Sequence, residues 1–246
     1  MEWRETDGVR WLSASLPGAE VAFSARRGGV SRAPFESLNL GLLTDDEPDS
    51  VRENRRRLSA AVDLDPERVV IGRQVHGARI ARHEGPQEPA PWAQPGADPP
   101  EVDGHVVAAS GVAGLVFVAD CLPIALSGPG GVAIVHGGWR GLAAGIVGAA
   151  ARSIGARDAA IGPGIGACCY EVGDEVLATF APLGDGLAQG RMLDLAAVAR
   201  RLLERAGVER IQSTQLCTSC NPDLFFSHRR DGPATGRQAG LIWGAV

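Results

Sequence analysis

Residues 115–141, L-V-F-V-A-D-C-L-P-I-A-L-S-G-P-G-G-V-A-I-V-H-G-G-W-R-G, constrain the fold more than any other stretch of the chain. Val, Ile, Leu and Phe gather in two runs joined by Ser-Gly-Pro-Gly-Gly, and apolar runs bounded by Gly and Pro favour extended chain. Two apolar strands are expected. Each carries a reactive side chain where it breaks: Cys121 directly after Asp120, and His136 directly before Gly137. Strands that pair or lie side by side bring that thiol and that imidazole into one pocket.

A chain of 246 residues buries roughly 70–75% of its unfolded surface, which suffices for one large domain or two small ones. The net charge of −5 and pI near 5.6 argue against a phosphate-backbone binder, so no nucleic-acid partner is expected. Lysine is absent, and every fixed cation is therefore Arg. Lysine Schiff-base chemistry is excluded, and an anion must meet Arg, His, a metal or backbone N–H groups. Residues 1–10 are polar and lack a signal-peptide core, and Asp120 and Pro123 interrupt the most apolar stretch. A cytoplasmic monomer with no membrane association is expected. Five cysteines, with Cys168 and Cys169 adjacent, fit free thiols better than a disulfide framework.

Along the chain, residues 20–25 read as a strand that enters the Arg-rich loop R-R-G-G-V-S at 26–31. That loop suits either an anion clamp or a solvated turn. Acids and Pro at the start, then an apolar stripe, predict a helix over 48–63. Alternation predicts extended chain over 69–76 and 78–83, with His76 at the break. Repeated prolines forbid regular structure from 84 to 102, and the expectation is a long surface loop acting as a lid. Strand-like chain resumes at 103–109. A helix is expected over 139–153, its first turn offering N–H groups and Arg140 to an anion. A strand end and a Gly-rich loop follow at 159–173, without P-loop or dinucleotide spacing. Asp194 caps a further helix to 206, and a last strand covers 239–243. The sum is an α/β fold bordering on α+β: one layered sandwich with mixed β-sheets flanked by helices.

His76, Cys121 and His136 each end an apolar segment beside Gly or Pro, where strands deliver side chains to a rim. Two His and one Cys suit zinc with its fourth position open. The same Cys121 and His136 also suit a metal-free nucleophile and base, with Asp103 or Asp120 orienting the imidazole. Spacing does not separate the two. Cys217 and Cys220 form C-x-x-C without a thioredoxin-like context, and Arg229 and Arg230 beside His228 fit either a phosphate or solvent.

The ordered blocks F-S-A-R-R-G-G-V-S, S-L-N-L-G, R-E-N-R-R-R-L, R-Q-V-H-G, V-A-D-C-L-P, H-G-G-W-R-G, I-G-P-G-I-G-A-C-C-Y-E-V-G and C-T-S-C…F-F-S-H-R-R-D-G…T-G-R-Q-A-G together resemble the laccase-domain family of purine nucleoside phosphorylases. This is also called the polyphenol oxidoreductase or peptidoglycan editing factor family. The resemblance extends over residues 23–243 and implies one such domain over 1–246. It implies zinc on His76, Cys121 and His136, the three residues that would carry catalysis, with Cu²⁺ able to occupy the same site. It also implies phosphorolysis of adenosine, inosine, guanosine and methylthioadenosine and deamination of adenosine. Arg26 and Arg140 would lie near the ligand, and the Arg229 and Arg230 pair, read from its charges alone, is the further candidate for phosphate. The alternative implied activity is amide hydrolysis that removes incorrect amino acids from muramyl nucleotide precursors of peptidoglycan. A copper-dependent polyphenol oxidase is disfavoured, because multicopper oxygen reduction takes more imidazoles than the five His of this chain. Gly137 stands where the family has Ala, Ser219 where it has Tyr, and His228 where it has Tyr; none of the three is a ligand.

Overall fold

The computed structural model describes residues 1–94, 96 and 98–245. The elements in chain order are β1 (Glu2–Thr6), β2 (Val9–Leu16), β3 (Ala19–Ser24), α1 (Pro48–Ala61), β4 (Val69–Val70), β5 (Ile80–His83), β6 (Gly104–Val107), β7 (Ala113–Val118), β8 (Leu122–Gly128), β9 (Gly131–Gly137), α2 (Trp139–Ala143), α3 (Ile146–Ile154), β10 (Asp158–Ile161), α4 (Asp174–Phe180), β11 (Ala188–Gln189), β12 (Met192–Leu193), α5 (Leu195–Arg205), β13 (Arg210–Ser213), α6 (His228–Asp231) and β14 (Gln238–Gly244). One six-stranded sheet has the order β1-β2-β3-β14-β7-β4 and the other β13-β10-β8-β9-β6-β5. Both are mixed: β4 runs parallel to β7 in the first, and β5 to β6 and β10 to β13 in the second.

Period-2 alternation builds the layers. On β7, Ala113 and Leu115 point outward to Leu58 of α1 and to Trp92, while Val116 points inward to Ala125 and Ile134 of the second sheet. On β8 and β9, Ile124, Leu126, Ala133 and Val135 face the opposite side and pack on Val147 of α3 and Val198 of α5. The result is helix, sheet, sheet, helix, the expected sandwich of mixed sheets flanked by helices. Both faces of β7, β8 and β9 are covered, which is why residues 115–136 read as nearly unbroken apolar sequence.

Two expectations need correction. The apolar run at 115–126 is two strands rather than one: β7 lies in the first sheet and β8 in the second. Asp120, with φ of +94°, turns the chain between them. The helix over 139–153 is broken into α2 and α3 at Gly145, whose φ is +84°. A left-handed residue ends α2, and glycine adopts it without steric cost. The Pro-rich segment, expected as a surface loop over a site, contributes Pro91, Gly96, Asp98 and Pro99 to the lining of a large cavity and is anchored at Trp92. Trp92 is 1% exposed, and its Nε1–H donates to Ser59 Oγ on α1 at 2.9 Å. Pro95 and Ala97 of that segment lie outside the described residues.

Candidate metal centre and cavity

Where the two sheets part, three chain segments converge. Cys121 sits on the crossing from β7 to β8, His136 lies on β9 opposite Pro123 of β8, and His76 follows β4. Their ligand atoms all lie within 4.8 Å of one another, and the two imidazoles meet edge to face with centroids 4.8 Å apart.

Asp103, fully buried, organises the centre. Its Oδ1 accepts from His136 Nδ1 at 2.9 Å and from the His76 N–H at 2.9 Å. Its Oδ2 accepts from the N–H groups of Val75 at 3.1 Å and Gly77 at 2.8 Å. Three successive amides around one carboxylate hold His76 in the left-handed region, φ +60°, a conformation that costs about 1–3 kcal/mol for such a residue. Because Nδ1 of His136 donates to Asp103, its Nε2 is left for the cluster. A carboxylate behind a ligating imidazole is the usual support of a metal-bound His. Of the two candidate orienting acids, Asp103 takes that place. Asp120 instead accepts from Thr218 Oγ1 and from the Arg229 N–H, each at 2.6 Å, and so ties α6 to the crossing.

Electrostatics favour a charged pair. Desolvation alone would raise the Cys121 thiol, but the adjacent His136 and His76 pull it down to about 6. Desolvation would lower His136, yet Cys121 and Asp103 push it up to about 9. The donor set fits a thiophilic divalent ion: two imidazole nitrogens and one thiolate suit zinc, or copper in the same place. Gly138 leaves room for it, since a Cβ there would stand 3.2 Å from both Cys121 Sγ and His76 Cδ2. His83 and His105 pair with each other at 3.0 Å and take no part.

The three ligands line a cavity of about 710 Å³, the size of a small-molecule site. Of the four arginines singled out in the sequence, the cavity wall contains Arg229. Its guanidinium donates to the carbonyls of Cys169 at 3.2 Å and Glu171 at 3.1 Å and stands 5.4 Å from the Tyr170 ring centroid. Arg26 instead donates to Glu36 and Pro222 carbonyls over the Phe226 ring. Arg230 donates to carbonyls of Thr218, Ser219 and Phe225 and to Asp231. Arg140 is exposed and lies over Trp139. The wall also holds His228 and three arginines that sequence reasoning missed: Arg73, paired with Glu101 at 2.6 Å, and Arg55 and Arg237.

Neither Arg55 nor Arg237 has a carboxylate partner among the described residues. Arg55 is buried against Trp92 and Phe117, which lowers its pKa to about 9, and it donates to the carbonyls of Leu40, Pro91 and Trp92. Arg237 is half-buried, its pKa lowered by desolvation and held up in part by the charges of Asp120 and Cys121. Arg55 had read as one member of the R-R-R run on α1; the cue was its place on the apolar stripe. Tyr170 and Phe117 supply aromatic surface, and burial raises the Tyr170 hydroxyl to about 12.

A purine nucleoside phosphorylase of Streptomyces coelicolor is 40% identical over 93% of this chain and 97% of its own. The purine nucleoside phosphorylase YfiH of Escherichia coli is 38% identical over 92% of this chain and 94% of its own. The crystal structure of YlmD from Geobacillus stearothermophilus superimposes with a TM-score of 0.89 at 35% identity, covering 99% of this chain and 98% of that one. A family model described as multi-copper polyphenol oxidoreductase laccase matches residues 20–245. The chain belongs to that laccase-like family, whose curated relatives carry the name purine nucleoside phosphorylase.

Proposed function

We propose that this protein is a purine nucleoside phosphorylase with a zinc ion held by His76, Cys121 and His136. The observation that carries the reading is the opening of this N₂S cluster into a cavity that also presents arginines without carboxylate partners and aromatic surface. Phosphorolysis joins a phosphate oxygen to C1′ of the ribose while the C1′–N9 bond breaks, its electron pair leaving with the purine. Arg237 and Arg229 bind and orient the phosphate, and Phe117 and Tyr170 flank the base. Zinc, when bound, supplies a Lewis acid to this site. Asp103 keeps His136 in the tautomer that ligates. Adenosine, inosine, guanosine and methylthioadenosine are the proposed substrates, and hydrolytic deamination of adenosine is a second proposed reaction of the same site.

A second reading rests on a specific feature of the same atoms. Cys121 with a depressed pKa, His136 beside it and Asp103 behind His136 form a nucleophile, base and orienting acid. That set suits amide hydrolysis of a muramyl nucleotide. Copper-dependent oxidation of polyphenols is disfavoured by the donors: two of the five His converge here, and His83 and His105 pair elsewhere.

The test is a metal-quantified preparation supplied with adenosine or inosine, with and without phosphate, and with a muramyl nucleotide bearing Ser or Ala. Free purine and ribose 1-phosphate formed only with phosphate, and lost on chelation, are expected. Inosine formed from adenosine without phosphate registers deamination. Amino-acid release that survives chelation, with no purine release, replaces the phosphorylase by the cysteine hydrolase.

A further inference from the structure

A second cluster of sulfur lies outside the centre described above. Cys168 and Cys169 stand in the loop after β10, Cys217 and Cys220 in the loop after β13, and all four Sγ atoms lie within 4.8 Å of one another. Cys220 Sγ is 3.4 Å from Cys168 Sγ and 3.3 Å from Cys169 Sγ. We propose that these four cysteines form a separate tetrathiolate site for a zinc ion, and that this ion fastens the wall of the cavity.

The geometry carries the inference. Four sulfurs at about 2.3 Å from a tetrahedral zinc stand roughly 3.8 Å apart, so the two short contacts of Cys220, at 3.4 and 3.3 Å, need to open by only a few tenths of an ångström. Cys220 is nearly equidistant from two partners, which selects no single disulfide, and all five cysteines of the chain are free. The backbone is shaped for sulfur: the Gly166 N–H donates to Cys217 Sγ at 3.2 Å. A Cβ on Gly166 would press on Cys217 Cβ at 3.1 Å and Cys168 Sγ at 3.3 Å. Cys168 and Cys220 are exposed, so an ion reaches the site without unfolding.

The role follows from what the two loops do next. Thr218 N–H donates to the Gly164 carbonyl at 2.9 Å, and Thr218 Oγ1 donates to Asp120, the neighbour of Cys121. Arg229 donates to the Cys169 and Glu171 carbonyls, and Tyr170 follows Cys169 into the cavity wall. Cys220 Sγ is crowded against the sulfurs of Cys168 and Cys169 where both loops turn. A zinc ion replaces that crowding by four bonds and holds Tyr170 and Arg229 in register with the ligand at 121.

The full chain, purified with reductant and zinc, tests this by total zinc per chain and by X-ray absorption at the zinc edge. Wild type is expected to bind about two zinc ions with an average near 2.5 sulfurs per ion, against about one sulfur if only the His76–Cys121–His136 centre fills. Cys121→Ala is expected to keep the sulfur-only ion. Cobalt loaded into that variant should show strong thiolate charge-transfer absorption, which Cys168→Ser/Cys220→Ser should lose. One zinc per chain with about one sulfur in the wild type overturns the proposal, whatever becomes of the variants. Fewer than five titratable thiols in protein purified anaerobically without reductant, then denatured in the presence of a chelator so that no zinc masks a sulfur, overturns it as well, because the cluster is then a disulfide.

Discussion

Asp103 Oδ1 lies 2.9 Å from His136 Nδ1, while the same carboxylate gathers the amides of residues 75–77. One buried side chain therefore sets both the tautomer of one candidate ligand and the backbone of another. Asp103→Asn keeps the size but offers a single acceptor oxygen and turns an amide donor toward donors. Zinc affinity is expected to fall about 10–100-fold, measured by competition with a chromophoric chelator. Unchanged affinity would remove Asp103 from its organising role.

The charged pair makes metal uptake depend on pH. In the ion-free protein Cys121 sits at about 6 and His136 at about 9, so between those values a thiolate faces an imidazolium. Binding needs the thiolate and a neutral imidazole, and it therefore expels the His136 proton in that window. Below it, the thiol proton must leave as well. Affinity is expected to rise by roughly one log unit per pH unit through the window and more steeply beneath it. Calorimetry of zinc binding in buffers of different ionisation heat counts the proton, and a count of zero at neutral pH contradicts the assignment.

A side chain at Gly138 is expected to displace the ligands, because a Cβ would sit 3.2 Å from Cys121 Sγ and His76 Cδ2 and both must give by a few tenths of an ångström. Gly138→Ala should bind zinc at least about tenfold more weakly while retaining a folded far-ultraviolet spectrum. Gly137 differs in kind: its added Cβ would meet Ile124 Cδ1 at 2.8 Å and the Leu122 carbonyl at 2.9 Å, so Gly137→Ala should lower the melting temperature first.

The arginines separate by position. Arg237→Ala is expected to raise the KM for phosphate roughly 10–100-fold, the worth of about 1.5–3 kcal/mol for a hydrogen bond to a charged group, and to leave zinc content intact. Arg140→Ala, which removes an exposed side chain lying over Trp139, should leave that KM unchanged. The reverse pattern would move the anion site to the start of α2.

Trp92 links the Pro-rich segment to α1 through Ser59 and lies against Arg55. Trp92→Ala should destabilise the fold by about 3–5 kcal/mol in urea unfolding. Nicking in residues 84–102 should then become rapid, whereas the wild-type segment should resist protease with or without nucleoside.

Much of this protein was legible in order of residue type. Alternating apolar runs, the Asp194 cap and the turn residues at 127–131 specify strands and helices through local propensity and burial, and they named the layered α/β class. Cys121 and His136 stood out because a strand end beside Gly or Pro places side chains at a rim, and the ordered blocks joined His76 to them. Tertiary structure decided the rest, because it depends on which segments meet. Only sheet assignment reveals that one apolar run is two strands in different sheets, since buried strands look alike whichever sheet they join. Only spatial proximity selects Asp103 over Asp120 behind His136, places Arg55 and Arg237 on the cavity while directing Arg26 and Arg230 to backbone carbonyls, and brings a Cys-Cys pair against a distant C-x-x-C. A guanidinium or a thiol has the same sequence whether it faces substrate, a carbonyl or another sulfur; its role is set by the partners the fold puts within a few ångströms of it.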